Sequence, residues 1–303
     1  MSATLDLILE RRQTRRRLTL WRIIAIAAIV LAAIAVIPSG SGSPIIGDHV
    51  ARIRIDGVIK DNPRRDKALL ALAESDRVKG VIVHINSPGG TVVGAEALYE
   101  NLRRVGKERP VVAVMSEAAA SGGYIAAMAA ENIIARGNTL TGSIGVLSEA
   151  TNVKGLLEMI GVGVTRVKSA PLKAEPSLVD VPSEAVLTAQ RALIADSFAW
   201  FKNLVAERRG LGGAALEAVT DGRVFTGRQA LANGLIDAIG DEETALEWLA
   251  SEHGLDADIS VVNYDWNESP LPWPASSFKE SLAAWLSPEP LLPAGPQLYA
   301  LIQ

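Results

Sequence analysis

From Val50 onward the apolar positions alternate between a period of two and a period near 3.6. VARIRIDG alternates apolar and polar residues as a strand does, and DKALLALAE carries helical spacing. VKGVIVHIN is almost continuously apolar and ends in a turn, as a parallel strand buried on both faces should. The same reading predicts a helix around Gly94 to Val105, the strand VVAVMS and a helix opening at Gly122. Further strands are expected at IIARG and SIGVL, a helix over Val153 to Ile160 and a strand at VTRVKS. A long helix should run from about Ser183 to Arg209, with Gly210 ending it. TGRQALANG then reads as a short helix closed by Gly234, LIDAIG as a strand, and EETALEWLASEHG as a last amphipathic helix. No repeat or composition break interrupts this alternation. Residues 49–263 are therefore expected to form one α/β domain of layered parallel sheet and helices.

The chain before Val50 follows another pattern. Six arginines among residues 1–22 face only Asp6 and Glu10, and the uncharged run IIAIAAIVLAAIAVI follows at once. With Leu18 to Trp21 in front and Arg22 able to snorkel, about 20 residues suffice to cross a bilayer. The run has no polar face, unlike a core helix, and no A-x-A cleavage site closes it. The expectation is an uncleaved signal anchor over 23–38, a basic cytoplasmic segment over 1–22 and a flexible tether over 39–48. Positive charge inside places the body beyond the cytoplasm, at the outer side of a bacterial inner membrane. The tail over 264–303 is rich in Pro and Trp. It carries one candidate helical stripe of Phe278, Leu282, Trp285 and Leu286, read as a surface strap or as a membrane or subunit contact.

Charge narrows the partners. The net charge is −4, and because residues 1–22 carry +4, the remainder carries −8. An acidic body excludes nucleic acid as the main partner. With no cysteine, thiol catalysis and disulfides are excluded.

Candidate chemistry starts in SEAAASGGY, residues 116–124, where Ser121 stands at a strand-to-helix turn followed by Gly122 and Gly123. Such a turn suits tight packing, and equally a nucleophile beside bare backbone N–H groups. A nucleophilic serine needs a base. The histidines are His49, His84 and His253, in the tether region, inside a predicted strand and at the end of a distal helix, so a Ser-His-Asp arrangement is poorly supported. Lysine is the other option, if its proton is lost near neutral pH through desolvation and distance from carboxylates. KSAPLKAEPS offers Lys168 and Lys173, with Glu175 close by. INSPGG and TGSIGV add glycine turns with Gly90 and Ser143, and three such turns at strand ends suggest a shared crevice.

The succession NSPGG, ASGGY, TGSIGV, a lysine in SAPLK and then DGRVFTGRQALANGLID resembles signal peptide peptidase A in its short bacterial form, over about Val50 to Ala250. The resemblance implies a crotonase-like fold shared with the Clp protease. It implies Ser121 as nucleophile, Lys173 as general base, Ser143 as the hydroxyl that positions the lysine amine, and Gly90 and Gly122 as oxyanion donors. Pro171 and Leu172 before the lysine and Glu175 after it depart from the family, which leaves Lys168 as the alternative base. The expected activity is a membrane-anchored Ser–Lys endopeptidase acting on cleaved signal peptides and similar apolar peptides. Neither a metal nor another cofactor is required, and the family assembles into ring-like homo-oligomers whose sites combine neighbouring subunits. The competing readings are an acyl-CoA enzyme of the crotonase superfamily and a non-catalytic membrane scaffold.

Overall fold

The computed structural model describes residues 47–266 and 299–301, together with Trp21, Arg22 and Ala25. Trp21, Arg22 and Ala25 are helical and belong to a separate unit. The anchor over 23–38, the tether up to Ile46 and the candidate helix of the tail lie outside the described residues, Ala25 apart. Among the described residues no helix is long and apolar enough to cross a membrane.

The elements that build the site come first in the chain. Strand β1 (His49–Ile59) leads into helix α1 (Pro63–Glu74), strand β2 (Val78–Thr91) and helix α2 (Val92–Glu108). Strand β3 (Val111–Ala120) ends at Ser121, which caps helix α3 (Gly122–Ala127). Strands β4 (Asn132–Ala135) and β5 (Leu140–Gly142) precede helix α4 (Lys154–Met159) and the long helix α5 (Glu184–Arg209). Helix α6 (Gly213–Val219), β6 (Val224–Thr226), α7 (Gly227–Ala232), β7 (Ala238–Ile239), α8 (Glu242–His253) and β8 (Ser260–Tyr264) complete the body. A last strand, β9 (Tyr299–Leu301), pairs with β2.

The sheet runs in the order β6-β5-β3-β2-β1-β8, with β4 beside β3 and β7. It is mixed rather than wholly parallel, because β6 meets β5, and β9 meets β2, antiparallel. Period-two alternation explains why its central strands read as continuous apolar runs. Val81, Val83, Val111 and Ala113 face one core with α2, α3 and α5, while Ile82, Val112 and Val114 face another with Ala245 and Leu249 of α8. Both faces are covered, so neither needs a polar side.

Two predicted strands are absent. SIGVL is not a strand; the strand lies at Leu140–Gly142, and Ser143 leaves it with φ +50. VTRVKS forms no strand and has no ladder partner among the described residues, and Val164 and Val167 along it are exposed.

Candidate active site

Ser121 is fully buried, at φ 55 and ψ −116. A side chain at that positive φ is strained by roughly 1–3 kcal/mol, so the surroundings must hold it there. They do so through its own amide, which donates to Gly142 O at 2.8 Å. The serine Oγ has no hydrogen-bond partner among the described residues. A buried hydroxyl without a partner is costly and rare.

The glycine turn of β2 comes directly alongside. A Cβ added to Gly122 would lie 3.2 Å from Gly90 N and 3.3 Å from Gly89 Cα. A Cβ added to Gly90 would lie 1.8 Å from Ile59 O, so only glycine fits between β1 and this turn. The backbones of residues 90 and 122 therefore meet beside Ser121. Because α3 has six residues, any negative charge here would be met by individual amides more than by a long helix dipole.

Ser143 joins the same cluster through the backbone. It follows Gly142, the residue that holds the Ser121 amide, and its own N–H donates to Arg223 O at 2.8 Å. Side chains missed in the sequence fix these turns. Thr141 Oγ1 donates to Ala119 O at 2.6 Å, Thr139 Oγ1 to Ser116 O at 2.6 Å, and Ala118 N to Asn86 Oδ1 at 3.3 Å. A cavity of about 450 Å³ opens beside Ser143, lined by Gly145, Val146, Leu147 and Gly222 to Val224. Next to Gly222 in the chain, hydrogen bonds from Arg223 hold the Asp221 carboxyl below its usual range. Tyr124 of the same turn is structural. Its hydroxyl donates to Leu235 O at 2.7 Å, and burial pushes its phenol well above the usual value.

Lys168 and Lys173 stand on an arm around α4, a helix with no buried residue. Lys168 Nζ donates to Pro171 O at 3.1 Å and is ion-paired with Glu175. Lys173 is exposed, and its amine makes no hydrogen bond or ion pair among the described residues. Ser121 Oγ has no partner, so no hydrogen bond joins it to Lys173 within one chain. The histidines are engaged elsewhere: His49 with Tyr264 and Gly47, His84 with Glu242, His253 with Glu131. The fold thus gathers Ser121, Ser143, Gly90 and Gly122, and among the described residues no hydrogen bond ties the Lys173 amine to them.

Comparison with known proteins decides what this gathering belongs to. The sequence profile of Peptidase family S49 matches residues 103–256, which span the Ser121 turn, Ser143 and the lysine arm. The chain belongs to peptidase family S49. Family S49 membership makes it a serine protease and leaves the acyl-CoA reading without support. A Clp protease profile matches residues 51–139 of the S49 chain, and the fold is a Clp-protease-like α/β arrangement. A Synechocystis sp. protein that carries the name of a protease, slr0021, is 39% identical over 74% of this S49 chain and 80% of its own length. An Enterococcus faecium protein carrying the name signal peptide peptidase SppA is 32% identical over 71% of this chain and 66% of its own. The chloroplastic serine protease SPPA of Arabidopsis thaliana is 37% identical over 58% of this chain and 26% of its own.

Proposed function

We propose that this S49 protease is a Ser–Lys endopeptidase that degrades extended apolar peptides, cleaved signal peptides among them, and that its dyad forms between two copies of the chain. The observation that carries this reading is the partnerless buried hydroxyl of Ser121 beside the backbones of Gly90 and Gly122. The neutral amine of Lys173 takes the proton from Ser121 Oγ, which attacks the peptide carbonyl. The amides of Gly90 and Gly122 receive the developing oxyanion. Lys173 returns the proton to the leaving amine, then activates water against the acyl-enzyme. Ser143, tied to the nucleophile through Gly142, holds the lysine amine in line.

Substrate binding follows from the β2 edge. Gly89 to Thr91 accept β9 as an antiparallel strand, which supports this edge as a dock for extended peptide backbone. Ala119 and Ala120 offer small, fully buried walls, where a charged substrate side chain would lose its water. The apolar run over 23–38 and the arginines before it support a membrane anchor with the protease domain beyond the cytoplasm.

The second copy is argued from the arm. It exposes Met159 (83%), Ile160 (62%) and Val167 (97%), a surface suited to a partner, and it carries the free lysine. A ring in which each arm reaches its neighbour would supply Lys173 to every Ser121. Mixing tests this reading. Ser121→Ala and Lys173→Ala proteins, each inactive on a fluorogenic apolar peptide, should regain about a quarter of wild-type activity when co-assembled at random in equal amounts. A mixture that stays dead while its subunits demonstrably exchange would refute a dyad built between copies.

A further inference from the structure

The stretch of the arm after α4 holds two lysines, Lys168 and Lys173, of which one is free, and Glu175 decides which. Its carboxylate is nearly buried, with the side chain 7% exposed, and it is ion-paired with Lys168. Arg166 Nη1 stands 3.8 Å from the same carboxylate and 3.0 Å from Asp180. The other end of that guanidinium donates to Ala174 O at 3.0 Å. Ala174 sits at φ +58, a conformation that an alanine adopts only when its surroundings impose it. Lys173 precedes this residue, and its own N–H donates to Ala170 O at 3.1 Å. The Lys173 N–H and the Ala174 carbonyl are therefore tied, while the Lys173 amine is not.

We propose that Glu175 is a positioning residue for the catalytic lysine: it sequesters Lys168 and, with Arg166, clamps the loop so that Lys173 alone is presented. The proposal rests on the Ser–Lys reading with Lys173 as base. Electrostatics adds a second effect. The charged groups grouped around the loop are Lys168, Arg166, Glu175 and Asp180, two of each sign, so the amine of Lys173 works beside a balanced set. Unbalancing that set in either direction should move the pH at which the amine becomes a base. A single charge roughly 8 Å away across water moves such an equilibrium by about 0.4 pH unit.

Removing the carboxylate leaves an excess cation and favours the neutral amine. Removing Lys168 leaves an excess anion and favours the protonated one. The experiment is the pH profile of kcat/KM on an apolar peptide for the full-length protein and its variants. Glu175→Gln should shift the acid limb to lower pH and reduce kcat at its plateau several-fold, with KM little changed. Lys168→Met should shift the limb to higher pH, Lys168→Met with Glu175→Gln should bring it back toward wild type, and Glu175→Asp should recover most of the plateau. Opposite shifts that cancel in the double variant support the proposal. Acid limbs that coincide in Glu175→Gln, Lys168→Met and wild type overturn it. If Glu175→Gln fails to fold, Lys168→Met still carries the test, because that side chain is partly exposed and on the surface of the arm. Failure of the underlying base assignment looks different: Lys173→Ala would remain active and Lys168→Met would be dead at every pH.

Discussion

At Ser121, a strained backbone, a hydroxyl without a partner and two close-packed glycine backbones coincide within a few residues. The strained backbone and the unpaired buried hydroxyl cost stability, and the proposed catalytic role accounts for them, since substrate and base would supply the missing partners. Gly122 offers the cleanest probe of the oxyanion assignment. A methyl there would press at 3.2 Å on both Ala95 Cβ and Gly90 N, so the Gly90 amide must give by a few tenths of an ångström. Gly122→Ala should therefore lower kcat on the order of 10²-fold, with KM and thermal stability little changed. An unaltered kcat would detach these amides from catalysis. Gly90→Ala is less informative, because its Cβ would overlap the Ile59 carbonyl and unfold the turn before any catalytic effect was read.

Among the elements, the contacts between helices and sheet decide how rigidly the turns are held. Arg208 of α5 donates to Met128 O at 2.8 Å and Ala130 O at 2.9 Å, satisfying carbonyls just beyond α3, so the helix that follows the arm also anchors the nucleophile helix. On the opposite face, Glu242 at the start of α8 ties that helix to the sheet. Arg52 Nε donates to it at 2.6 Å, and His84 Nε2 lies 2.5 Å away. Burial alone would raise the Glu242 carboxyl, yet these hydrogen bonds hold it below its ordinary value of 4.5. A carboxylate lowered in the folded state stabilises above its unfolded value, and that contribution disappears as pH falls through the folded one. Glu242→Gln should thus cost about 1.5–3 kcal/mol at pH 7 in denaturant unfolding, with the gap closing in acid below the ordinary carboxyl value. A gap that persists unchanged at pH 3 would contradict the ion network.

Much of this was legible before any coordinates, for physical reasons that differ by element. The central strands announce themselves because both their faces are buried, and α5 and α8 because their caps and apolar stripes agree. SIGVL misleads because apolar residues after a strand resemble a strand, whereas the turn at Ser143 has already left the sheet. VTRVKS misleads because alternation reports one apolar face and not what covers it. The serine and glycine turns were readable from residue type and order. That no hydrogen bond joins Lys173 to Ser121 within one chain, and that Glu175 pairs with Lys168, depend on where an arm folds in space, and no local pattern encodes that.

For the whole molecule, the S49 domain brings Ser121, the backbones of Gly90 and Gly122 and the β2 edge together in one place, and carries Lys173 exposed on an arm. An anchor would bring enzyme and apolar substrate to one surface, where high local concentration makes tight binding unnecessary. Under the proposed dyad, assembly would then act as the switch, since Ser121 would meet its base only in a neighbouring copy. The most direct test of the Ser121–Lys173 account is covalent labelling of the full-length protein with a fluorophosphonate probe, read by mass spectrometry of the modified peptide. The account predicts a label on Ser121 in the wild type and in Lys168→Ala, and labelling slowed to background in Lys173→Ala and Ser121→Ala. A label on another residue, or a Lys173→Ala protein that labels at the wild-type rate, would contradict it.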